Sequence, residues 1–77
     1  MNRVVYSMNQ SICMFDVRLK KTIWEWEMID DIQDFYLMNE ESGSLFVIIT
    51  LMKTTGTINI HDPYDGQVLS KITMKPE

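Results

Sequence analysis

The sequence predicts an all-β fold of seven short strands. Three observations carry that expectation. Apolar residues come in short runs rich in β-branched and aromatic types, turn-forming residues punctuate the runs at close intervals, and Thr22 to Met28 alternates between two faces.

Val4 to Met8 forms the first run and Ser11 to Asp16 the second, with Asn9-Gln10 between them as the two-residue link of a hairpin. Thr22 to Met28 is the third. Trp24, Trp26 and Met28 fall on one of its faces and Ile23, Glu25 and Glu27 on the other, the period of two that a strand produces. After the acidic link at Asp30-Asp31 comes the fourth run, Ile32 to Met38, with a short helix as its rival reading; the loop Glu40 to Ser44 closes it. The fifth, Leu45 to Leu51, is apolar on both faces, which predicts a strand covered on both sides. The sixth, Thr57 to His61, alternates polar Thr57, Asn59 and His61 with apolar Ile58 and Ile60. The seventh, Gln67 to Met74, follows the turn Asp62-Pro63-Tyr64-Asp65-Gly66 and stops before Pro76.

Composition sets outer bounds on function. A chain of 77 residues buries only about 60% of its unfolded surface, so added support from a neighbour is expected. Seven Lys and Arg against 11 Asp and Glu give a net charge of −4, which repels a phosphate backbone and argues against a nucleic-acid partner. Lys20-Lys21 is too short for a polybasic membrane patch, and the longest apolar run, Leu45 to Met52, falls far below the roughly 20 residues a spanning helix needs. No membrane partner is expected. Cys13 is the lone cysteine and lies in an apolar run, so a buried free thiol and a reducing, cytoplasmic location are expected.

The two halves of the chain repeat. Ser11 laid over Thr57, 46 residues on, brings Ile12 over Ile58, Asp16 over Asp62 and Met28 over Met74; both halves then read strand, aromatic, Asp, turn, strand. Val4-Val5 is matched to Phe46-Val47 once a difference of four residues in the preceding turn is allowed. A repeat spacing in the forties is that of propeller blades, whose faces must be covered by neighbouring units.

The segments Ile-Cys-Met-Phe-Asp-Val-Arg-Leu-Lys-Lys-Thr-Ile-Trp-Glu-Trp and Ile-Asn-Ile-His-Asp-Pro-Tyr-Asp-Gly-Gln-Val-Leu resemble the third strand, turn and fourth strand of β-propeller blades. Two propeller families compete. Phe15-Asp16 and His61-Asp62 stand where WD-repeat proteins carry an aromatic followed by Asp. Asp16 with Trp24, and Asp62 with Gly66, are similar to the Asp, turn glycine and Trp of quinoprotein-like blades. Neither half has a Trp-Asp dipeptide, Lys20 stands at the turn glycine and Ser70 at the second Trp. The resemblance implies a fragment of a β-propeller: residues 1–28 as the last three strands of one blade, a partial blade, and 29–77 as a complete four-stranded antiparallel blade. It further implies blade-packing roles for Trp24 and Gly66, open faces carrying Leu45, Val47, Ile49 and the side of Trp24 and Trp26, and protein partners, either other chains or further blades, that complete the ring.

Chemistry-bearing residues are sparse. Asp16 and Asp62 each precede a turn, where a carboxylate accepts backbone N–H bonds two residues on, and Gly66 supplies a positive φ. His61, the single histidine, excludes a two-histidine metal site, and a centre built from His61, Asp62 and Asp65 would place adjacent residues on opposite faces. Asp30, Asp31, Asp34, Glu40 and Glu41 lack the spacing of a calcium loop and read as a solvated acidic edge. No Ser or Cys is framed for nucleophilic catalysis and the three glycines are too scattered to cradle a phosphate. The expectation is a non-enzymatic protein-binding module without metal or cofactor. A sugar-binding lectin assembled from short two-blade chains, gripping its ligand with Trp24 and Trp26, is the alternative; a quinoprotein-like enzyme fragment and a free-standing small barrel are further rivals.

Overall fold

The computed structural model of the chain describes residues 2–43 and 45–73, apart from the side chains of Leu45 and Phe46. The expected loop end at Ser44, the strand end at Met74 and the stop at Pro76 lie outside the described residues. The strands are β1 (Arg3–Met8), β2 (Ser11–Asp16), β3 (Lys21–Glu27), β4 (Ile32–Asn39), β5 (Leu45–Met52), β6 (Thr57–His61) and β7 (Val68–Thr73). The fourth run is thus a strand, and no helix occurs among the described residues. Strands of this length need partners, and they find them in a three-stranded sheet, β1-β2-β3, and a four-stranded sheet, β4-β5-β6-β7, both antiparallel.

The sheets pack face to face around buried Ile12, Met14 and Ile48, with Val5, Ile23, Trp24, Trp26, Ile32 and Phe35 packed against them. Pairing fixes which residues share a face, because directly opposed residues in an antiparallel ladder point the same way. Val5, Met14 and Trp24 are in register across the first sheet, as are Ser7, Ile12 and Trp26. These form its inner face. Ile48 is in register with Leu37 and His61, and Thr50 with Phe35 and Asn59, and these form the inner face of the second sheet. Its outer face carries Tyr36, Ile49 and Ile60 in one row and Leu51, Ile58 and Ile72 along the next strands.

Two expectations are corrected here. Trp24 and Trp26 do not lie on an open face, because the second sheet covers them. Ile23 does not side with Glu25 and Glu27: the β2–β3 register shifts between Met14 and Phe15, leaving Ile23 without an opposing residue and bringing it to the packed cluster. Val47 and Ile49 do belong to the open outer side of the second sheet.

The halves repeat in three dimensions. A second bulge, between Ile60 and His61, lies 46 residues after the one between Met14 and Phe15. At the corners Lys20 N donates to Asp16 O (2.8 Å) and Gly66 N to Asp62 O (2.7 Å), with φ of 57° at Lys20 and 82° at Gly66. Register also corrects the match between β1 and β5. Val4 opposes Phe15 and Ile48 opposes His61, so Val4-Val5 corresponds to Ile48-Ile49, 44 residues on. The copies differ by two residues in the turn, Asn9-Gln10 against Lys53 to Gly56, because β5 runs on to Met52. With β1, β2 and β3 matching β5, β6 and β7, the first sheet has no counterpart of β4.

Candidate functional site

The seam between the sheets is built from Trp24 outward. Its alternation in β3 aims the indole across the seam, where Nε1 donates to Pro63 O at 3.0 Å. The ring lies over Gly66: a Cβ placed there would stand 2.5 Å from Trp24 Cε3. Gly66 therefore answers two demands, a positive φ and the close approach of an aromatic ring. The turn itself is set by Asp62, whose Oδ1 accepts from Tyr64 N at 2.8 Å, while Asp62 N donates to Gln67 O at 2.8 Å. Asp16 sets the matching corner by accepting from Leu19 N at 3.0 Å, three residues on rather than two, with Arg3 Nε 3.8 Å from its other oxygen.

Behind Gly66 lies a buried polar row. His61 is fully buried; its Nδ1 is 2.9 Å from Gly66 O and its Nε2 is 2.8 Å from Thr50 Oγ1. A carbonyl only accepts, so Nδ1 carries the proton and donates to Gly66, and Nε2 accepts from the Thr50 hydroxyl. Asn59 Nδ2 donates to Thr50 Oγ1 at 3.4 Å, while Asn59 Oδ1 has no partner among the described residues. Burial holds the His61 imidazole below its usual pKa, against a smaller upward pull from the Gly66 carbonyl. The role is structural: the imidazole ties β5 and β6 to the turn on which Trp24 rests. Among the described residues no group of three or more His, Cys, Asp or Glu is placed to hold a metal ion.

The other end of the seam is tied through the link between β3 and β4. Met28 N donates to Gln10 O (2.7 Å), Ile32 N to Asn9 O (3.1 Å) and Lys53 N to Asp31 O (2.9 Å). Asp30 Oδ2 accepts from Thr54 N at 2.8 Å and Thr55 N at 3.3 Å. Desolvation pushes the Asp30 carboxyl upward, but hydrogen bonds from the Thr54 amide and side chain and from the Asp31 and Thr55 amides outweigh it and hold its pKa below the ordinary value. Asp30 is thus a clamp on the β5–β6 turn as well as part of the acidic edge, a role invisible in the acidic run itself. The nearby cleft, about 530 Å³ and lined by Met8, Asn9, Gln10, Ser11, Glu25, Glu27 and Asp31, is shallow and acidic. Cys13 is a free, buried thiol whose pKa is pushed up chiefly by burial, which leaves it a poor nucleophile.

The outer face of the second sheet is an exposed apolar surface. Tyr36 (52% exposed), Met38 (49%) and Ile72 (45%) stand around half-buried Val47, Ile49, Leu51, Ile58 and Ile60. Tyr36 is fixed on this face by a 3.1 Å hydrogen bond from its hydroxyl to Asp34. No strand or turn of the described chain covers it. Leu37, on the inner face, is also 47% exposed. Among the described residues no helix is long and apolar enough to cross a membrane. No protein family, no curated protein and no solved structure matches the chain.

Proposed function

We propose that the chain is a non-enzymatic protein-binding module built from one partial and one complete blade of a β-propeller, residues 1–28 and 29–77. The open apolar face around Tyr36, Ile49 and Ile72 is the observation that carries the binding role. A contiguous apolar patch of this kind on a small, acidic chain marks a protein contact. Three further features support the blade reading: the corners and bulges repeat 46 residues apart, Trp24 of one sheet docks on Gly66 of the next, and Leu37 is bare where a strand beside β1 would cover it. The loops at Glu40 to Gly43 and Lys53 to Gly56 flank the face on rigid strands and supply selectivity. The partners are other chains or further blades. A reducing, cytoplasmic setting suits the free Cys13.

The lectin alternative draws no support from the seam, where Trp24 is bonded to Pro63 and Trp26 packs between the sheets. A photo-crosslinking residue at position 36 tests the proposal in cells. Protein adducts that weaken when Ile72 is replaced by Lys are the expected result; no polypeptide adduct, with a tryptophan signal that responds to monosaccharides, overturns it.

A further inference from the structure

The matched registers say more about the open face than its composition does. Val5, Ile12, Met14 and Trp26 make up most of the inner face of the first sheet, and their counterparts in the second sheet are Ile49, Ile58, Ile60 and Ile72. Those counterparts form its outer face. In the same way Val4, Cys13 and Phe15, on the outer face of the first sheet, correspond to Ile48, Asn59 and His61, which are buried in the seam. The two sheets are therefore stacked in the same sense, unlike face against unlike face, and are not related by a two-fold axis. Each binds with one kind of face and offers the other.

A stack of this type leaves two uncovered faces that are counterparts of the two already joined. We infer that the outer face of the second sheet docks a second copy of this chain, head to tail, against the outer face of that copy's first sheet. The inference rests on the stacked-blade reading and names the occupant. The internal seam is the template: Ile48, fully buried there, predicts that Val4, now 48% exposed, sits near the centre of the new contact, and Trp26 in the seam predicts the place of Ile72. Such a heterologous contact closes into a ring where the rotation per copy permits it, and otherwise extends. The contact is weaker than the seam, because Ser70 replaces the docking Trp24 and Lys20 replaces the receiving Gly66. Each copy carries a net charge of −4, so raising the salt concentration strengthens association by screening the repulsion.

Sedimentation velocity of the purified chain over a wide concentration range tests this. Wild-type protein should gain mass with concentration, more so at high salt. Ile72→Lys removes the docking face and Val4→Lys removes the receiving face; both sites are about half exposed, and circular dichroism verifies the fold. Each variant alone should associate at least tenfold more weakly. Their equimolar mixture should recover a dimer and stop there, because only one intact face of each kind remains. A Val4→Lys protein that still associates like wild type means pairing of two like faces and overturns the inference. A folded wild-type chain that stays monomeric throughout overturns it too, yet leaves the blade reading standing if replacing Gly66 still loosens the seam.

Discussion

At the first corner Lys20 stands at φ 57° and at the second Gly66 stands at φ 82°, each closing an Asp-led turn with the same hydrogen bond to the carbonyl four residues back. The backbones agree and the side-chain surroundings do not. Gly66 lies beneath the Trp24 ring, whereas Lys20 is exposed. A left-handed backbone alone tolerates a lysine at a modest penalty; a left-handed backbone under an indole does not. Glycine at this corner is therefore a mark of the seam rather than of the turn, and the corner that lacks it belongs to the sheet whose outer face bears no neighbour.

The largest expected effect follows from that difference. Gly66→Val adds left-handed strain to a steric clash with Trp24, together about 3 kcal/mol, which in a chain this small corresponds to a fall in melting temperature on the order of 15 °C. Lys20→Val meets no clash and only part of the first penalty, because Lys20 already bears left-handed strain and the change adds β-branching alone. Urea unfolding of both variants in a Trp24→Ala background separates the causes: there Gly66→Val should exceed Lys20→Val only by the strain that Lys20 already bears, about 0.5–1 kcal/mol. If Gly66→Val remains far worse without the indole, the clash does not distinguish the corners.

Trp24→Phe sharpens the comparison from the other side. The ring still covers Gly66, but Pro63 O loses its donor, for an expected loss of about 1 kcal/mol. Tryptophan emission should also simplify, because only Trp26 remains. Stability unchanged in urea would show that the indole packs without its hydrogen bond contributing.

The pH dependence isolates the support behind Gly66. His61 is buried neutral, with its folded pKa below the unfolded value of about 6.5. Between those two values the unfolded chain binds more protons than the folded one, so stability rises with pH there. The contribution is fully present above the unfolded pKa and is lost as pH falls from about 6.5 toward the folded pKa. His61→Gln should lower stability at neutral pH and flatten this slope below about pH 6.5. A slope identical to wild type would assign it to carboxylates elsewhere.

Much of the strand plan was legible because alternation is a local property: Ser11–Asp16 and Thr57–His61 are strands at the predicted bounds. Which face of Thr57–His61 turns inward was not. Pattern alone sends Ile58 and Ile60 to the core, yet Asn59 and His61 are buried, since Thr50 bonds to both from the neighbouring strand and the Gly66 carbonyl accepts the His61 proton. The bulge that redirects Ile23 has no signature in its own residues and appears only as a register shift. The four-residue offset failed because the apolar match of Phe46-Val47 to Val4-Val5 ignored cross-strand register, which the turn length sets. The Trp24–Gly66 contact did have a sequence signal, the shared Asp spacing, although the docking crosses from one copy to the next rather than staying within either.

The smallest effect tests the corner that bears no neighbour. Lys20→Gly removes the left-handed penalty on an exposed residue and gains about 0.5 kcal/mol after the added flexibility of the unfolded chain is counted. The urea midpoint should rise slightly with an unchanged slope. If a second copy stacks on the first sheet, the variant has a second consequence, because a bare corner is what Trp24 needs at the seam. Pairing Lys20→Gly with Ser70→Trp copies the internal docking pair onto the open faces, so the doubly substituted chain should associate at lower concentration than wild type. Stabilisation without any gain in association would mean that the two corners share a backbone and no common way of meeting a neighbour.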